Sequence, residues 1–317
     1  MPPAQPQDAA VLVTTSSFAS ADPTPRQRLA SVGLTVHENP FKRKLTETEL
    51  IDLVGRIQPV GILAGLEPVT ARALETSPKL KVVSRCGIGI ENVDTAAAEK
   101  LGIAVCNTPD APSQSVAELA VGLMLSVLRK IPQASADVRA GTWKAQQGAL
   151  LGDKTVGLAG FGRIGTRVAR IALGFGCRVL AFDERGFEAP GVEQVSWERL
   201  LAESDVLSLH LPATASTRGL MNAAALASMK AGSVLINTSR GALVDETALA
   251  ESLRGGYLAG AGLDVFDAEP YAGPLAALPT VVATPHMGSA ARECRSRMER
   301  EAAENLVAAL KKYGTLR

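Results

Sequence analysis

The chain has 317 residues, 33 basic and 32 acidic side chains, a net charge of +1 and 46% hydrophobic content. Such a length holds two domains, and a balanced charge offers no field to recruit nucleic acid or an anionic membrane. Four widely spaced cysteines without a CxxC pair exclude a disulfide framework and a zinc site, so no metal is expected and the setting is a reducing, cytoplasmic one.

The N-terminal "MPPAQPQDAA" has neither the basic region nor the apolar core of a secretory signal and reads as a Pro-rich, loose tail. The β-rich runs "AVLVTT" (10–15), "VGILAG" (60–65), "LKVVSR" (80–85) and "GIAVCN" (102–107) predict strands. Between the last two, "NVDTAAAEKLG" predicts a helix capped by Asp94 and closed by Gly102. A longer helix is predicted from Ser113 or Ser115 through Leu128, stopping before Pro132. Its apolar window is interrupted by Glu118 and too short to span a bilayer.

From residue 154 the alternation resumes in "KTVGLAG", "CRVLAFD", "DVLSLHL", "GSVLINTS", "LAGAGLDVF" and "TVVATP", which predict six more strands. The clearest helix among them is "VDETALAESLRGG", with Asp245 as cap and Gly255 as stop. Beyond Ser289, apolar Met298, Ala302, Leu306 and Leu310 recur at helical spacing and predict a final helix that rejoins the first domain. The fold class is therefore α/β. It has two doubly wound parallel-sheet domains, the first ending near 107 and the second covering 108–288.

Within the second domain, "GLAGFGRIG" sets Gly160, Gly162 and Gly165 in G-x-G-x-x-G spacing between a strand and a helix, and Asp183 closes the next strand. Such a turn needs Gly160 to bend tightly, Gly162 to let the backbone reach a pyrophosphate, and Gly165 to let helix and strand pack closely. Amides of Arg163 and Ile164 at the positive end of the helix would meet the phosphate charge. Asp183 would accept hydrogen bonds from an adenosine ribose and repel a 2′-phosphate. NAD is thus favoured over NADP, with Arg185 nearby leaving the second open.

Strand exits supply the remaining polar residues. Arg240 follows "VLINTS", Asp264 and Glu269 lie in "GLDVFDAEP", and His286 follows "VVATP" in "ATPHMGSA". Each alone reads as well as an ordinary surface or sheet-edge side chain. Together at the strand ends of a dinucleotide domain they suit hydride chemistry on a 2-oxo acid: an Arg fork for the carboxylate, a His to carry the proton, and a Glu to orient the imidazole.

The motifs "GFGRIG", "NTSRGALVDETAL", "AGAGLDVFDAEP", "TPHMGS", "VVSRCGIGIENVD" and "NTPDAPSQSVAELAVGLML" resemble those of the D-isomer-specific 2-hydroxyacid dehydrogenases, in that family's order and over nearly the whole chain. The last two look most like its phosphoglycerate-dehydrogenase-like branch. The resemblance implies a flavodoxin-like substrate domain made from both termini, 1–107 with 289–317, and a Rossmann NAD-binding domain at 108–288. It implies that Arg240 binds substrate, that Glu269 and His286 form the acid/base pair, and that Asp264 positions the nicotinamide amide. It further places Arg85 and the backbone of Gly87, Ile88 and Gly89 at the substrate, and His210, Leu211, Pro212, Thr238, Ser239 and Gly288 along the NAD. A homodimer through the helix matching residues 115–130 is implied as well.

Two departures bear on the substrate. The chain ends at Arg317, so the C-terminal regulatory domain of some phosphoglycerate dehydrogenases, and serine feedback through it, are not expected. In "GILAGLEPVT" (61–70), Glu67 stands where phosphoglycerate-specific members tend to place a cation, though Arg43, Lys44 or a partner subunit could substitute. Phosphoglycerate oxidation therefore competes with reduction of hydroxypyruvate or glyoxylate. A dinucleotide-sensing co-repressor is the reading from a different class.

Overall fold

The computed structural model describes residues 9–316, so the loose-tail reading of residues 1–8 lies outside the described part. The chain divides into two compact units, one running up to Pro112 and resuming at Ser289, the other Ser113–Gly288. The boundary falls later than residue 107 because the loop after the fifth strand stays with the first unit. Thr108 N donates to Gly87 O at 2.9 Å, and Ala111 is buried in that unit's core.

In chain order the first unit contains β1 (Ala10–Val13), α1 (Thr24–Ser31), β2 (Thr35–Glu38), α2 (Glu47–Ile57), β3 (Gly61–Ala64), α3 (Ala71–Glu75), β4 (Val82–Arg85), α4 (Thr95–Lys100) and β5 (Ala104–Cys106). The strands form a parallel sheet in the order β2-β1-β3-β4-β5, the flavodoxin-like arrangement. Side chains alternate across the sheet. Val11 and Val13 face one core, while Leu12 faces the other with Leu50, Leu53 and Val54 of α2.

The second unit contains α5 (Ser113–Leu128), α6 (Ile131–Arg139), β6 (Thr155–Ala159), α7 (Arg163–Gly174), β7 (Arg178–Phe182), β8 (Val192–Gln194), α8 (Trp197–Glu203), β9 (Val206–Leu209), α9 (Ala223–Ala227), β10 (Val234–Asn237), α10 (Glu246–Arg254), β11 (Gly260–Leu263) and β12 (Val281–Ala283). Its parallel sheet runs β12-β11-β10-β9-β6-β7-β8. Chain direction across this sheet reverses between β6 and β9, which opens a crevice at their carboxyl ends. Helix α11 (Arg292–Lys312) returns to the first unit, where Met298, Ala302, Leu306 and Leu310 pack on the face carrying Val11 and Val13. A Cβ on Gly61 of β3 would stand 3.1 Å from Leu306, so the helix approaches the sheet as closely as a glycine allows.

Four elements depart from the sequence expectations for identifiable reasons. Strands β2 and β8 have the mixed sequences TVHE and VEQ and lie at sheet edges, half in solvent, so they carry no apolar run. Helix α6 starts at Ile131 with Pro132 in its first turn, where a missing N–H costs nothing, so this proline opens a helix as well as ending one. Finally, α10 runs into Gly255 in a right-handed conformation, and the left-handed stop is Gly256 at φ +72°.

Candidate active site

Three glycines build the switch point of the second sheet; two have no room for a side chain and one faces open space. Gly160 has φ +100°, and a Cβ there would lie 2.7 Å from His210 O, so the ends of β6 and β9 touch backbone to backbone. A Cβ on Gly165 would meet Gly160 O at 2.2 Å, so α7 packs directly onto the turn. A Cβ on Gly162, by contrast, would meet nothing within 4 Å. Gly162 is also the N-cap of α7 and provides no side-chain acceptor, so the helix opens with uncapped N–H groups at Arg163 and Ile164. Open space in front of free amides fits the pyrophosphate of a dinucleotide.

Asp183 follows β7 and receives Phe161 N at 2.9 Å and Arg185 N at 3.0 Å. The Arg185 guanidinium beside it, reinforced by these two amides and opposed by partial burial, holds its carboxyl at about 2, so it is ionised at physiological pH. A fixed anion next to the glycine turn suits the ribose diol of NAD. On the opposite flank, the turn after β9 carries His210, Leu211 and Pro212. Leu211 packs on the core, and Thr217 Oγ1 donates to Pro212 O at 2.7 Å. Both ring nitrogens of His210 are buried without a protein partner, and burial pushes the imidazole down to about 4.

At the end of β10, Asn237 organises the next turn: its Oδ1 accepts Ser239 N at 3.0 Å and its Nδ2 donates to Arg240 O at 2.8 Å. Thr238 Oγ1 is buried without a partner. The Arg240 side chain donates from Nη1 to Ser239 O at 2.7 Å. A Cβ on Gly241 would fall 1.8 Å from the carbonyl carbon of Phe266, so the Arg240 loop lies against the loop that carries Glu269.

Asp264, after β11, is 1% exposed. Its Oδ1 accepts from Thr284 Oγ1 at 2.6 Å and Met287 N at 2.8 Å, and its Oδ2 accepts Gly288 N at 2.8 Å. The carboxylate thus shapes the turn that carries His286, a residue at φ +52°. Ser115 Oγ donates to Gly288 O at 2.6 Å and closes the same turn. His286 Nδ1 lies 2.8 Å from Glu269 Oε2, whose other oxygen accepts Phe266 N at 3.1 Å. The side chains of His286 and Glu269 are 32% and 31% exposed. Of the residues read at the strand exits, the structure joins His286 and Glu269 directly. Asp264 supports them from beneath.

In the first unit, Arg85 is only 7% exposed and its Nη1 donates to Cys86 O. The guanidinium sits where a side chain on Gly87 would have to go, at φ +148°. Arg85 therefore lies under the Gly87–Gly89 turn and shapes it. Asn107 Nδ2 donates to Ile88 O at 2.6 Å and steadies the same turn. Glu67 is 1% exposed, with Oε1 accepting from Thr14 Oγ1 and from Gly65 N at 2.9 Å. Arg43 grips Glu49 through both Nη atoms, at 2.9 and 2.6 Å. Sequence reading missed Asn237, Thr284 and Asn107. The signal for all three was their place inside motifs already singled out, "NTSRGALVDETAL", "ATPHMGSA" and "NTPDAPSQSVAELAVGLML".

The family described as "D-isomer specific 2-hydroxyacid dehydrogenase, NAD binding domain" matches residues 121–288. Over 269 residues the chain is 42% identical to a hydroxypyruvate reductase of Thermotoga maritima, covering 83% of this chain and 88% of that protein. It is 43% identical over 251 residues to a D-3-phosphoglycerate dehydrogenase of Mycobacterium leprae, spanning 76% of this chain but only 47% of that longer relative. A crystal structure of a Thermus thermophilus protein superposes with a TM-score of 0.88 at 41% identity, covering 96% of this chain and 97% of the other.

The buried His210 generates a stability prediction. Unfolded, its imidazole takes up a proton near 6.5, whereas folded it does so only near 4. Above about 6.5 both states are neutral there. As pH falls from 6.5 towards 4 the unfolded state alone gains the proton and the fold loses up to about 3 kcal/mol. Urea midpoints between pH 7 and 4 are expected to fall less steeply in His210→Gln than in the parent chain. Parallel slopes would place that loss on other groups.

Proposed function

Because the chain belongs to the D-isomer specific 2-hydroxyacid dehydrogenase family, and so interconverts a D-2-hydroxy acid and its 2-oxo acid with NAD, we propose that Glu269 and His286 are the acid/base pair of this reaction and Arg240 the clamp for the substrate carboxylate. The observation that carries this reading is the 2.8 Å contact between His286 Nδ1 and Glu269 Oε2, after the last strand of the parallel sheet whose β6 leads into the glycine turn. Bound NAD supplies or accepts the hydride at the substrate's second carbon.

With Nδ1 committed to Glu269, Nε2 of His286 is the atom left to exchange a proton with the substrate oxygen. In reduction, Nε2–H donates to the carbonyl oxygen as it gains negative charge. In oxidation, neutral Nε2 takes the hydroxyl proton. Glu269 holds the ring orientation and offsets the positive charge on the imidazolium. Arg240 presents a planar fork to the carboxylate. Asp264 fixes the His286 turn through its three donors, and the backbone of Gly87, Ile88 and Gly89 is assigned to the same carboxylate. Arg163, Ile164, Asp183, the His210–Pro212 turn, Thr238, Ser239 and Gly288 are assigned to the cofactor.

For the substrate, small unphosphorylated acids of the glyoxylate or hydroxypyruvate kind fit best. The segment matching the phosphate-binding cation of phosphoglycerate-specific members holds buried Glu67, and Arg43 is committed to Glu49. We also assign a homodimer, but through the segment 131–150 that follows α5: α5 itself, the helix expected to carry the interface, buries Val116, Ala120, Val121, Leu123 and Met124 within its own unit. Helix α6 buries none of its own residues, and Ile131, Val138, Trp143 and Leu150 are 50%, 55%, 91% and 62% exposed. So much apolar surface along one segment is suited to a second copy of the chain. A cytoplasmic setting accords with four free cysteines, and among the described residues no helix is long and apolar enough to cross a membrane.

Four measurements test these assignments. His286→Asn is expected to lower kcat/KM by about 10²–10⁴ at every pH while NADH binding, read by fluorescence, is retained. Glu269→Ala is expected to lower kcat/KM as well while NADH binding is retained, since the imidazole loses the partner that holds its ring. Near-normal turnover by the His286 variant would remove it from the chemistry. In a substrate panel followed by NADH absorbance, glyoxylate or hydroxypyruvate should be used at least as well as 3-phosphohydroxypyruvate; a clear preference for the phosphorylated acid would overturn the substrate assignment. Sedimentation should give a dimer that Trp143→Asp weakens, and a monomer in the parent chain would dispose of that interface.

A further inference from the structure

The loop that carries Glu269 turns on Phe266. Phe266 N donates to Glu269 Oε1 at 3.1 Å, and the Phe266 ring stacks on Tyr271 with centroids 4.0 Å apart. The next amide, Asp267 N, donates to Glu246 Oε1 at 2.8 Å, while the Asp267 carboxylate turns outward to Arg218. Glu246 also lies beside the Tyr271 hydroxyl, which accepts Leu275 N at 3.2 Å. Burial and the Glu246 carboxylate push this phenol up, against the Leu275 amide.

Glu246 opens α10 and follows Arg240 in one continuous stretch, 240–246. At the near end of that stretch, Gly241 meets the Phe266–Asp267 peptide so closely that a Cβ would lie 1.8 Å from the Phe266 carbonyl carbon. This contact only stops the two loops from coming closer. An attraction is needed to stop them from parting, because residues 267–270 are all exposed and bury no surface of their own. Glu246 supplies it at the peptide that Gly241 faces, by a hydrogen bond to a charged acceptor.

A carboxylate in the first turn of a helix also favours the helix dipole. The start of α10 is already capped without it, since Asp245 Oδ1 accepts Thr247 N and Ala248 N, each at 3.0 Å. The reach of Glu246 across to Asp267 is therefore a separate feature.

We propose that Glu246 is a positioning residue of the dehydrogenase reaction: its carboxylate holds the Glu269 loop against the Arg240 loop, so that Glu269 meets the His286 ring at the spacing proton transfer needs. The proposal rests on the assignment of Glu269 and His286 as the acid/base pair. Glu246 acts through Glu269 and exchanges no proton with the substrate.

The test follows reduction of the best-used acid of the substrate panel by the purified full chain. NADH binding is read by fluorescence, and thermal unfolding reports on the fold. Two variants separate reach from charge. Glu246→Gln removes the charge but keeps an oxygen at the same reach, and should stay within about threefold of the parent kcat. Glu246→Asp keeps the charge for the helix but withdraws the acceptor by one methylene. It should lower kcat by about tenfold to a hundredfold, the scale of a misplaced catalytic group, with NADH affinity unchanged. Added to Glu269→Ala, it should cost less than about threefold more, because the two act as one unit. Near-parent kcat in Glu246→Asp, an equal loss in Glu246→Gln, a matching loss of NADH affinity, or independent losses in the double variant overturns the positioning role alone. Near-parent kcat in Glu269→Ala overturns the acid/base assignment on which it rests.

Discussion

One buried carboxylate underlies the candidate site. Asp264 takes donors from Thr284, Met287 and Gly288, and its own carbonyl receives His286 N at 2.8 Å. Left-handed backbone at His286 costs about 1–2 kcal/mol for a residue with a side chain. Hydrogen bonds to a charged acceptor contribute about 1.5–3 kcal/mol each, so the three together outweigh that strain. The imidazole therefore reaches Glu269 from a conformation that the chain would not choose alone. Asp264 was expected at the nicotinamide, and its carboxylate is committed first to this turn.

The rest of the second unit follows the same logic of backbone fixed by backbone. The end of β6 lies against that of β9 at Gly160, and α7 lies against the turn at Gly165, while Gly162 alone of the three faces open space. Two contacts that exclude side chains leave one place where a ligand can come close. Burial keeps His210 neutral there, whereas the Arg185 guanidinium keeps Asp183 ionised, so one flank of the turn is uncharged and the other carries a paired anion.

What the sequence disclosed was the chemistry that sits next to its own strand: the glycine turn, Asp183, Arg240, Asp264, Glu269 and His286 each follow an apolar run. That the sheets are parallel was implied by the alternation, and the order of the strands only by the family resemblance. Contacts made across the fold were not legible. Thr284 and Asn237 look like ordinary turn residues until their partners are in place, and the Arg85 guanidinium under Gly87 has no signature in "SRCGIG". Glu67 looks in sequence like a charge that fails to meet a phosphate, yet it is a buried acceptor for Thr14 and Gly65. Edge strands escaped for the opposite reason: β2 and β8 are half in water and need no apolar pattern.

The meeting of Gly241 with Phe266 has a consequence for how this chain can change over generations. Main chain stands on both sides of that seam, so no rotamer adjustment can absorb a new methyl group placed 1.8 Å from a carbonyl carbon. The loops bearing Arg240 and Glu269 are thereby welded, and their mutual spacing is encoded at a codon whose product has no side chain. Drift can rewrite much of the neighbouring surface. At this codon every replacement, alanine included, would push the guanidinium and the carboxylate apart together.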